Sequence, residues 1–411
     1  MTEGQSMRSD AAAGDDAARA QAHLVLVSAQ PTPNLTPVLD PAVRPARVVL
    51  LVSPDMEQRA DWLAAVLVRR GVRVDRWPVE QAWNLEHVQF RVLELLESEP
   101  ALVERGGIAL NVTGGTKLMA IAAFDVFRAY ALPIFYVHPG QDRLIWLHPS
   151  ERPGLDLADR LRLDDFLAAH GATLIAREDA AVPVERRALT DWLVAQNERI
   201  GRQLGTLNWL AGAAEGTLLS PALDRRQTRD AALAELLGRF ADAELLRVEG
   251  DRLRFPDEPA RFYVNGGWLE GHVYAVLREL RGEVPQMQDL ARSVQIVRAG
   301  ARGEAVPNEL DVLSLVDNRL YTVECKTRQW GDSQVAGPGA NALYRLDSLG
   351  DLLGGLLART MLVSYRVLPD HVLTRAADLR IEVCAGGRLP ELPAVLRRWI
   401  DPARRPPAPG A

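Results

Sequence analysis

Cysteine, lysine and long apolar runs are all scarce in this sequence. Two cysteines in 411 residues cannot build a disulfide framework, and their spacing does not match a zinc knuckle. No apolar run reaches the roughly 18 residues of a membrane-spanning helix. The first 22 residues are acidic and alanine-rich, without the basic start and apolar core of a signal peptide. We therefore expect a cytoplasmic protein that is neither secreted nor bound to a membrane.

An excess of positive charge is absent as well. The formal net charge is −6, so no global field attracts the chain to nucleic acid, and any nucleic-acid site must be local. Of the 48 basic residues, only Lys117 and Lys326 are lysines. A compact ammonium acts differently from a planar guanidinium beside a phosphate or an attacking water. Both lysines are therefore candidates for a chemical role; the alternative is chance in an arginine-rich composition.

The length is sufficient for two or three domains. From His23, apolar strands alternate with amphipathic helices, which predicts a doubly wound, mostly parallel sheet with a ligand crevice at the carboxyl ends of its strands. A mainly helical stretch follows and ends in a predicted hairpin at 245–255, as in a winged helix. We predict a disordered arm at 1–22, an α/β domain at 23–150, a helical, winged-helix-like linker domain at 151–260, a second α/β domain at 261–400 and a tail at 401–411.

The segment 111–117, Asn-Val-Thr-Gly-Gly-Thr-Lys, joins a buried strand to the start of a helix. Free backbone N–H groups and the positive end of the helix dipole make such a junction an anion site. Gly114 and Gly115 allow a phosphate to approach the backbone, while Thr113, Thr116 and Lys117 add donors and charge. The spacing matches neither a Walker A loop nor G-x-G-x-x-G. In the alternative interpretation, the glycines only form a tight turn and Thr116 caps the helix.

Two further loops are expected at the same edge of the sheet. The segment 28–35, which contains Gln30 and Asn34, reads as a Pro/Asn loop after the first strand, and Ser53 follows the second strand. Segments 28–35 and 111–119 resemble a CARF domain, the CRISPR-associated Rossmann-like sensor. The resemblance implies a cyclic oligoadenylate ligand, cyclic tetra-adenylate being the expected ring, held across the two-fold axis of a homodimer. The residues expected to face it are Gln30, Asn34, Ser53, Thr113, Gly114, Gly115, Thr116 and Lys117.

A second group of candidate residues lies on a predicted hairpin, in which two apolar runs, 310–316 and 319–326, flank the turn signal Asp-Asn. If Val316 pairs with Arg319, Asp311 lies opposite Glu324, and 309 lies opposite 326 on the same face. Like charges placed so are destabilising, and Mg²⁺ or Mn²⁺ between the carboxylates would resolve the conflict. Lys326 could then orient or deprotonate a water or stabilise developing charge. An ordinary surface Glu-Lys pair is disfavoured because the flanking positions are apolar on both faces.

The spacing Asp311-x12-Glu324-Cys325-Lys326 resembles the PD-(D/E)xK nuclease motif, although residue 308 is Asn near where the family often has proline. The resemblance implies a restriction-endonuclease-like fold with Asp311, Glu324 and the carbonyl of Cys325 as metal ligands and Lys326 as a catalytic residue. In that family an acidic residue on a preceding helix completes the site. Glu270, in the expected helix up to Leu280, fits this role, and Glu309 is a candidate supporting acid.

The pair of motifs resembles the CARF-containing effector nucleases of type III CRISPR systems. It implies a cyclic-oligoadenylate-activated, metal-dependent, non-specific nuclease that hydrolyses DNA, RNA or both in antiviral defence. The alternative is a ligand-responsive transcription regulator that binds DNA through the middle domain, but a regulator has no need of a buried acidic pair with a lysine. A third possibility, slow cleavage of the ligand by the sensor through Thr116 or Lys117, stays open.

Overall fold

The computed structural model describes residues 20–138, 140–299, 304–328, 338–354 and 357–401. The chain forms two compact units, one running to Leu174 together with Val297–Val306, and the other comprising Ile175–Ile296 and the residues from Pro307. Residues 1–19 of the predicted arm and 402–411 of the predicted tail lie outside the described residues. A separate middle domain is not part of this two-unit grouping and stays a prediction.

In the first unit, the described residues form a seven-stranded sheet in the order β3-β2-β1-β4-β5-β6-β7. Strands β1 to β5 pair in parallel, while β5, β6 and β7 pair antiparallel, so the predicted doubly wound sheet is confirmed. The strands are β1 (Ala22–Leu26), β2 (Arg47–Val52), β3 (Arg73–Pro78), β4 (Ile108–Asn111), β5 (Ile134–His138), β6 (Arg143–His148) and β7 (Leu155–Asp156). The helices are α1 (Thr32–Leu39), α2 (Glu57–Arg69), α3 (Leu85–Ser98), α4 (Pro100–Glu104), α5 (Lys117–Ala129) and α6 (Leu163–Ala169).

The order of these strands determines where a crevice forms. Strands β1 and β4 are neighbours, yet the chain continues from β1 toward β2 and β3 on one side and from β4 toward β5 on the other. Loops after β1 and β4 therefore leave the sheet at a topological switch point, where open α/β sheets bind ligands. Both strands are buried along their length because helices cover both faces of a parallel sheet.

Prolines shape two elements of this unit, and one of them was predicted wrongly in detail. The expected loop at 28–35 contains the start of α1, which includes Pro33 and Pro37. Pro37 cannot donate to the carbonyl four residues earlier, and the side chain of Asn111 donates to that Pro33 carbonyl instead, at 2.9 Å. Helix α3 ends at Ser98 and Pro100 begins α4, because the residue before a proline avoids the helical conformation.

The second unit contains a six-stranded mixed sheet among its described residues, in the order β15-β14-β13-β12-β11-β8. The predicted hairpin at 245–255 is confirmed as β9 and β10, whereas β8 and β11 were not predicted. The strands are β8 (Ala172–Glu178), β9 (Arg247–Glu249), β10 (Arg252–Arg254), β11 (Met287–Ala299), β12 (Ala305–Val316), β13 (Arg319–Lys326), β14 (Arg359–Ser364) and β15 (Glu382–Ala385). No described helix of either unit is long and apolar enough to cross a membrane.

Helices of the second unit pack a large core against this sheet. Trp268, Tyr274 and Tyr321 are among its fully buried side chains. The helices are α7 (Val184–Ala195), α8 (Asn197–Ala213), α9 (Ala231–Asp242), α10 (Glu258–Phe262), α11 (Trp268–Leu280), α12 (Pro338–Gly354), α13 (Asp370–Asp378) and α14 (Leu392–Ile400). The helix predicted to end at Leu280 is thus confirmed as α11, and its first turn carries Glu270.

Candidate functional site

The β12–β13 hairpin has the predicted register. Its turn residues Asp317 and Asn318 both have positive φ, 54° and 53°, as a two-residue type I′ turn requires. Val316 pairs with Arg319, and the pairing continues in step to Val312 with Val323. Side chains alternate between faces along a strand, so this register directs the side chains of 311 and 324 to the same face.

Beyond the last backbone pair, Val312 with Val323, the two strands are connected by side-chain contacts. The N–H of Cys325 donates to Oδ2 of Asp311 at 2.6 Å, and Nζ of Lys326 forms an ion pair with Oε1 of Glu324. Glu324 is largely buried and Lys326 half-buried. The hairpin therefore brings two carboxylates, one ammonium and the backbone around Cys325 into one small region.

Burial and mutual repulsion control the charges in this region. Burial, together with the carboxylates of Asp311, Glu309 and Glu324, raises the pKa of Glu270 to about 9, while Lys326 opposes the shift. Burial and the carboxylate of Glu324 together raise the pKa of Asp311 to about 7, against the opposing effect of Lys326. Both shifts report carboxylates held close together in a poorly solvated site. Glu309 itself is exposed, so it contributes its charge from the surface.

The same surroundings act on Lys326 and on the thiol of Cys325. Burial alone would lower the pKa of Lys326, but the neighbouring carboxylates of Glu324 and Asp311 outweigh it and raise the pKa, which keeps the ammonium protonated. Burial raises the pKa of the Cys325 thiol, and the nearby carboxylates add to this. A thiol that stays protonated is a poor metal ligand, which agrees with the expected use of its backbone carbonyl.

This donor set fits a hard divalent cation. Asp311 and Glu324 offer carboxylate oxygens and Cys325 a carbonyl oxygen, the ligand types that Mg²⁺ and Mn²⁺ prefer. The raised pKa values of Asp311 and Glu270 show that negative charge is costly in this region. A bound cation would remove that cost because it compensates the carboxylates without protonating them.

Glu270 reaches this region because α11 begins unusually close to the end of β13. The turn before the helix includes Gly266 with φ of 123°, a conformation that side-chain-bearing residues rarely adopt. A Cβ at this position would lie 2.3 Å from Oγ1 of Thr327, the residue that follows Lys326. The absence of a side chain at 266 therefore allows α11 to approach the hairpin and to present Glu270 to it.

Gly266→Ala should consequently lower the nuclease activity expected from Glu270, Asp311 and Glu324 by at least about tenfold. The added methyl group must displace either Thr327 or the start of α11, and the backbone strain alone costs about 1–3 kcal/mol. Cleavage of a supercoiled plasmid in the presence of Mn²⁺ would measure the effect. Gly282→Ala is the matched control, because its Cβ would meet only the carbonyl of Glu279 at 3.6 Å. Equal activity of the two variants would refute the positioning role of Gly266.

In the first unit, the loops after β1 and β4 meet at the switch point. A Cβ at Gly114 would lie 2.1 Å from the carbonyl oxygen of Leu26, at the end of β1. Gly115 has φ of +70° and turns the chain into α5. Lys117 is exposed in the first turn of this helix. The start of α5 therefore lies beside the crevice, where its free backbone N–H groups and the positive end of its dipole favour an anion.

Several predicted ligand residues instead hold these loops together. Asn34 is buried, and its amide donates to the carbonyl of Leu26 at 3.0 Å and accepts from Asn111 at 3.2 Å. The hydroxyl of Thr113 donates to Oδ1 of Asn111 at 2.7 Å and accepts from the N–H of Val137 at 2.8 Å. These groups fix the shape of the crevice through contacts within the protein.

Thr116 and Ser53 are engaged in the same way. The hydroxyl of Thr116 caps α5 by accepting from the N–H of Met119 at 3.1 Å, and it donates to the carbonyl of Ala82 at 3.3 Å. The capping interpretation of Thr116 is thus confirmed. Ser53 is buried and donates to Oδ1 of Asp55 at 2.6 Å.

Of the predicted ligand residues, Asn34, Ser53 and Gly114 are buried, Lys117 is exposed, and the others are partly accessible to solvent. The structure adds Arg59, which was not predicted. Its Nη1 donates from α2 to the carbonyl of Ala29 at 3.1 Å, which brings a second cation to the loop after β1. A helical arginine gives no sequence signal that separates it from an ordinary surface residue.

Two family models match the chain. The Card1 CARF domain model matches residues 22–166, and the Card1-like endonuclease domain model matches residues 257–403. The first match contains the crevice between β1 and β4. The second contains α11 and the β12–β13 hairpin, which carries Asp311 and Glu324 and is called the acidic hairpin below. No curated protein matches the chain in sequence.

Solved structures resemble the chain over most of its length. Protein VC1899 from Vibrio cholerae is 31% identical, with a TM-score of 0.84 over 93% of this chain and 98% of that chain. Can2 from Sulfobacillus thermosulfidooxidans, in complex with cyclic tetra-adenylate, is 28% identical, with a TM-score of 0.77 over 92% of this chain and 99% of that chain. A type III CRISPR defence DNA nuclease activated by cyclic oligoadenylate is 21% identical, with a TM-score of 0.52 over 85% of this chain and 46% of that chain; this last similarity extends to the fold alone.

Proposed function

The chain belongs to the Card1-like family, in which a CARF domain is joined to an endonuclease domain, and we propose that it is a metal-dependent nuclease of type III CRISPR defence activated by cyclic tetra-adenylate. The acidic hairpin carries this proposal, because a buried set of carboxylates with a lysine lies within the region matched by the endonuclease model. The likeness to Can2, which was solved with cyclic tetra-adenylate, supports this ring as the activator.

The chemistry proposed for the hairpin is phosphodiester hydrolysis. A bound Mg²⁺ or Mn²⁺ would polarise the scissile phosphate and make a bound water more acidic. Asp311, Glu324 and the carbonyl of Cys325 are the proposed ligands. The water gives up one proton as its oxygen adds to phosphorus, the P–O bond to the leaving oxygen breaks, and the leaving oxygen takes up one proton from solvent. The ammonium of Lys326 donates to the phosphate oxygens as their charge grows, and Glu270 completes the acidic set.

We propose that the active form is a homodimer closed around the ring. Trp83, Phe90 and Ile121 are large apolar side chains exposed on the first unit. They lie on or just before α3 and α5, which pack together, and Thr116 ties the start of α5 to the loop that contains Trp83. Exposed apolar residues grouped beside a crevice are typical of an interaction surface. A two-fold symmetric ring matches an isologous interface of this kind.

One experiment tests the proposal directly. Purified protein is incubated with Mn²⁺ and labelled single-stranded or supercoiled substrates, with cyclic oligoadenylates of different ring sizes or with none. Cleavage that requires both the metal and a ring is the expected result. Light scattering on the same samples reports whether the protein is dimeric. Absence of cleavage with every ring and metal would overturn the assignment.

Lys326→Arg should lose about 10²- to 10³-fold of the activated rate, the range for removing one preorganised donor. The variant keeps the positive charge, but a planar guanidinium cannot occupy the position of the smaller ammonium beside Glu324. Turnover at saturating metal and substrate is the measurement. Arg398→Lys, on the exposed side of α14, is the reverse exchange and should have no effect. Near-normal turnover of Lys326→Arg would mean that charge alone suffices.

A further inference from the structure

A cavity of about 820 Å³ opens along α8 within the second unit. Among the described residues that line it, Arg202, Arg328 and Arg366 are positively charged, and Glu215 is the one carboxylate. The chain as a whole is acidic, so this local excess of positive charge differs from its average surface. We refer to this cavity as the Trp209 groove, after the tryptophan in its wall.

The Trp209 groove adjoins the acidic hairpin. Arg328 follows Lys326 by two residues, and Asn265 precedes the glycine at which α11 approaches the hairpin. The side-chain amide of Asn208, in the groove wall, lies 3.0 Å from the hydroxyl of Thr327. Residues of the groove and of the proposed cleavage site therefore belong to the same short segments of chain.

Two polar atoms in the groove wall lack a partner. Nε of Arg366 and Oδ1 of Asn265 are buried without a hydrogen bond to any described residue, an arrangement that calls for a ligand or a water. The guanidinium of Arg366 lies against the backbone of α8, because a Cβ at Gly201 would be 2.3 Å from its Nη1 and a Cβ at Gly205 3.4 Å from its Nη2. The two glycines thus allow this cation to rest in the wall of the groove.

The indole of Trp209 is 59% exposed at the same cavity. An accessible aromatic face beside several arginines is the combination that binds single-stranded nucleic acid, because unpaired bases stack on the ring while phosphates contact the cations. Bases of a continuous duplex are stacked on one another and cannot make this contact. The composition of the groove therefore favours an unpaired strand over an intact duplex.

We propose that the Trp209 groove holds an unpaired stretch of the nucleic-acid substrate next to the scissile phosphate, with a base stacked on Trp209 and phosphates bound by Arg328 and Arg366. This inference rests on the proposed nuclease function and adds to it a strand-binding groove and a positioning residue. Trp209 is a positioning residue, because it acts on the substrate strand beside the site of hydrolysis.

The test compares Trp209→Ala, Trp209→Phe and Arg366→Gln in the activated, Mn²⁺-loaded protein. On a labelled single strand, Trp209→Ala should raise KM about tenfold or more, the loss expected for one stacked base, with kcat little changed. Trp209→Phe should restore most of the binding because it keeps an aromatic face. Arg366→Gln should weaken binding and reduce its salt dependence by about 0.7 in the slope of log K against log salt. Arg398→Gln is the control for loss of charge.

Binding of the same oligonucleotide by a Glu324→Ala background, followed by fluorescence anisotropy, keeps the groove testable without cleavage. An unchanged KM and affinity in Trp209→Ala, or an equal defect in Trp209→Phe, would refute the stacking role. An equal loss on closed duplex and single strand would refute the preference for an unpaired strand. If the wild type cleaves no substrate, the proposed function fails. If the wild type cleaves normally and Trp209→Ala has the same KM and affinity as the wild type, only the proposed role of the groove is refuted.

Discussion

Glu324→Ala should abolish nucleic-acid cleavage while cyclic oligoadenylate binding persists. Loss of an outer-shell partner of a metal ligand typically costs about 10- to 100-fold, and a lost carboxylate ligand should exceed that. Glu324 also pairs with Lys326 and acts on the charges of Asp311 and Glu270. The variant therefore removes the proposed ligand and the partner of the proposed donor in one change. Cleavage rates in metal-controlled buffer measure the effect.

Stability should not explain this loss. Replacing Glu324 relieves repulsion among the carboxylates but also leaves the half-buried ammonium of Lys326 without its ion-pair partner. These two effects on stability oppose each other, so the melting temperature in chelator is measured beside cleavage to show that the variant is folded. Glu382→Ala, which alters a carboxylate on β15 of the same sheet, serves as the control and should cleave normally. Cleavage by Glu324→Ala at the wild-type rate would mean that the metal is held elsewhere.

Lys117→Ala should uncouple activation from catalysis. Hydrogen bonds to charged groups contribute about 1.5–3 kcal/mol, so affinity for cyclic tetra-adenylate should fall by about 10- to 100-fold. Ligand-stimulated cleavage should fall with it, whereas any basal rate of the Asp311 and Glu324 site should remain. Calorimetry gives the affinity, and cleavage with and without the ring on the same preparation gives the coupling.

The expected loss of stimulation in Lys117→Ala has a thermodynamic reason. A ligand shifts an equilibrium only if it binds the active arrangement more tightly than the inactive one, and a ring shared by two subunits favours the closed dimer. Arg105→Ala is the matched control, because this exposed cation follows α4 and precedes β4, at the amino end of the strand rather than at the crevice. Equally fast cleavage by the wild type with and without every ring would mean that the nuclease is constitutive.

The acidic hairpin could be predicted in detail because local rules determine it. The Asp317-Asn318 turn fixes the register, and strict alternation then assigns Asp311 and Glu324 to one face. The expected helix up to Leu280, with Glu270 near its start, is confirmed as α11. Family membership, predicted from the two motifs, is confirmed by the family models and by the likeness to VC1899.

The crevice of the first unit was harder to predict, because contacts between distant segments decide which polar groups remain free. Nothing near Thr113 in sequence indicates that Val137 takes up its hydroxyl, and the position of Arg59 depends on how α2 packs. Asn111 did carry a usable signal, since an amide at the end of a buried, apolar strand needs partners. The Trp209 groove is assembled from five separated stretches of chain, so composition alone does not reveal it.

The scarcity of lysine has a practical consequence now that both lysines have a place in the structure. A reagent that acylates side-chain amines meets two targets in this protein, one exposed at the start of α5 and one ion-paired on β13. The 46 arginines keep their charge under such treatment because the guanidinium stays protonated and is a poor nucleophile at neutral pH. Protection of Lys117 and protection of Lys326 thus serve as separate footprints of the two ligand regions, readable from a single peptide digest.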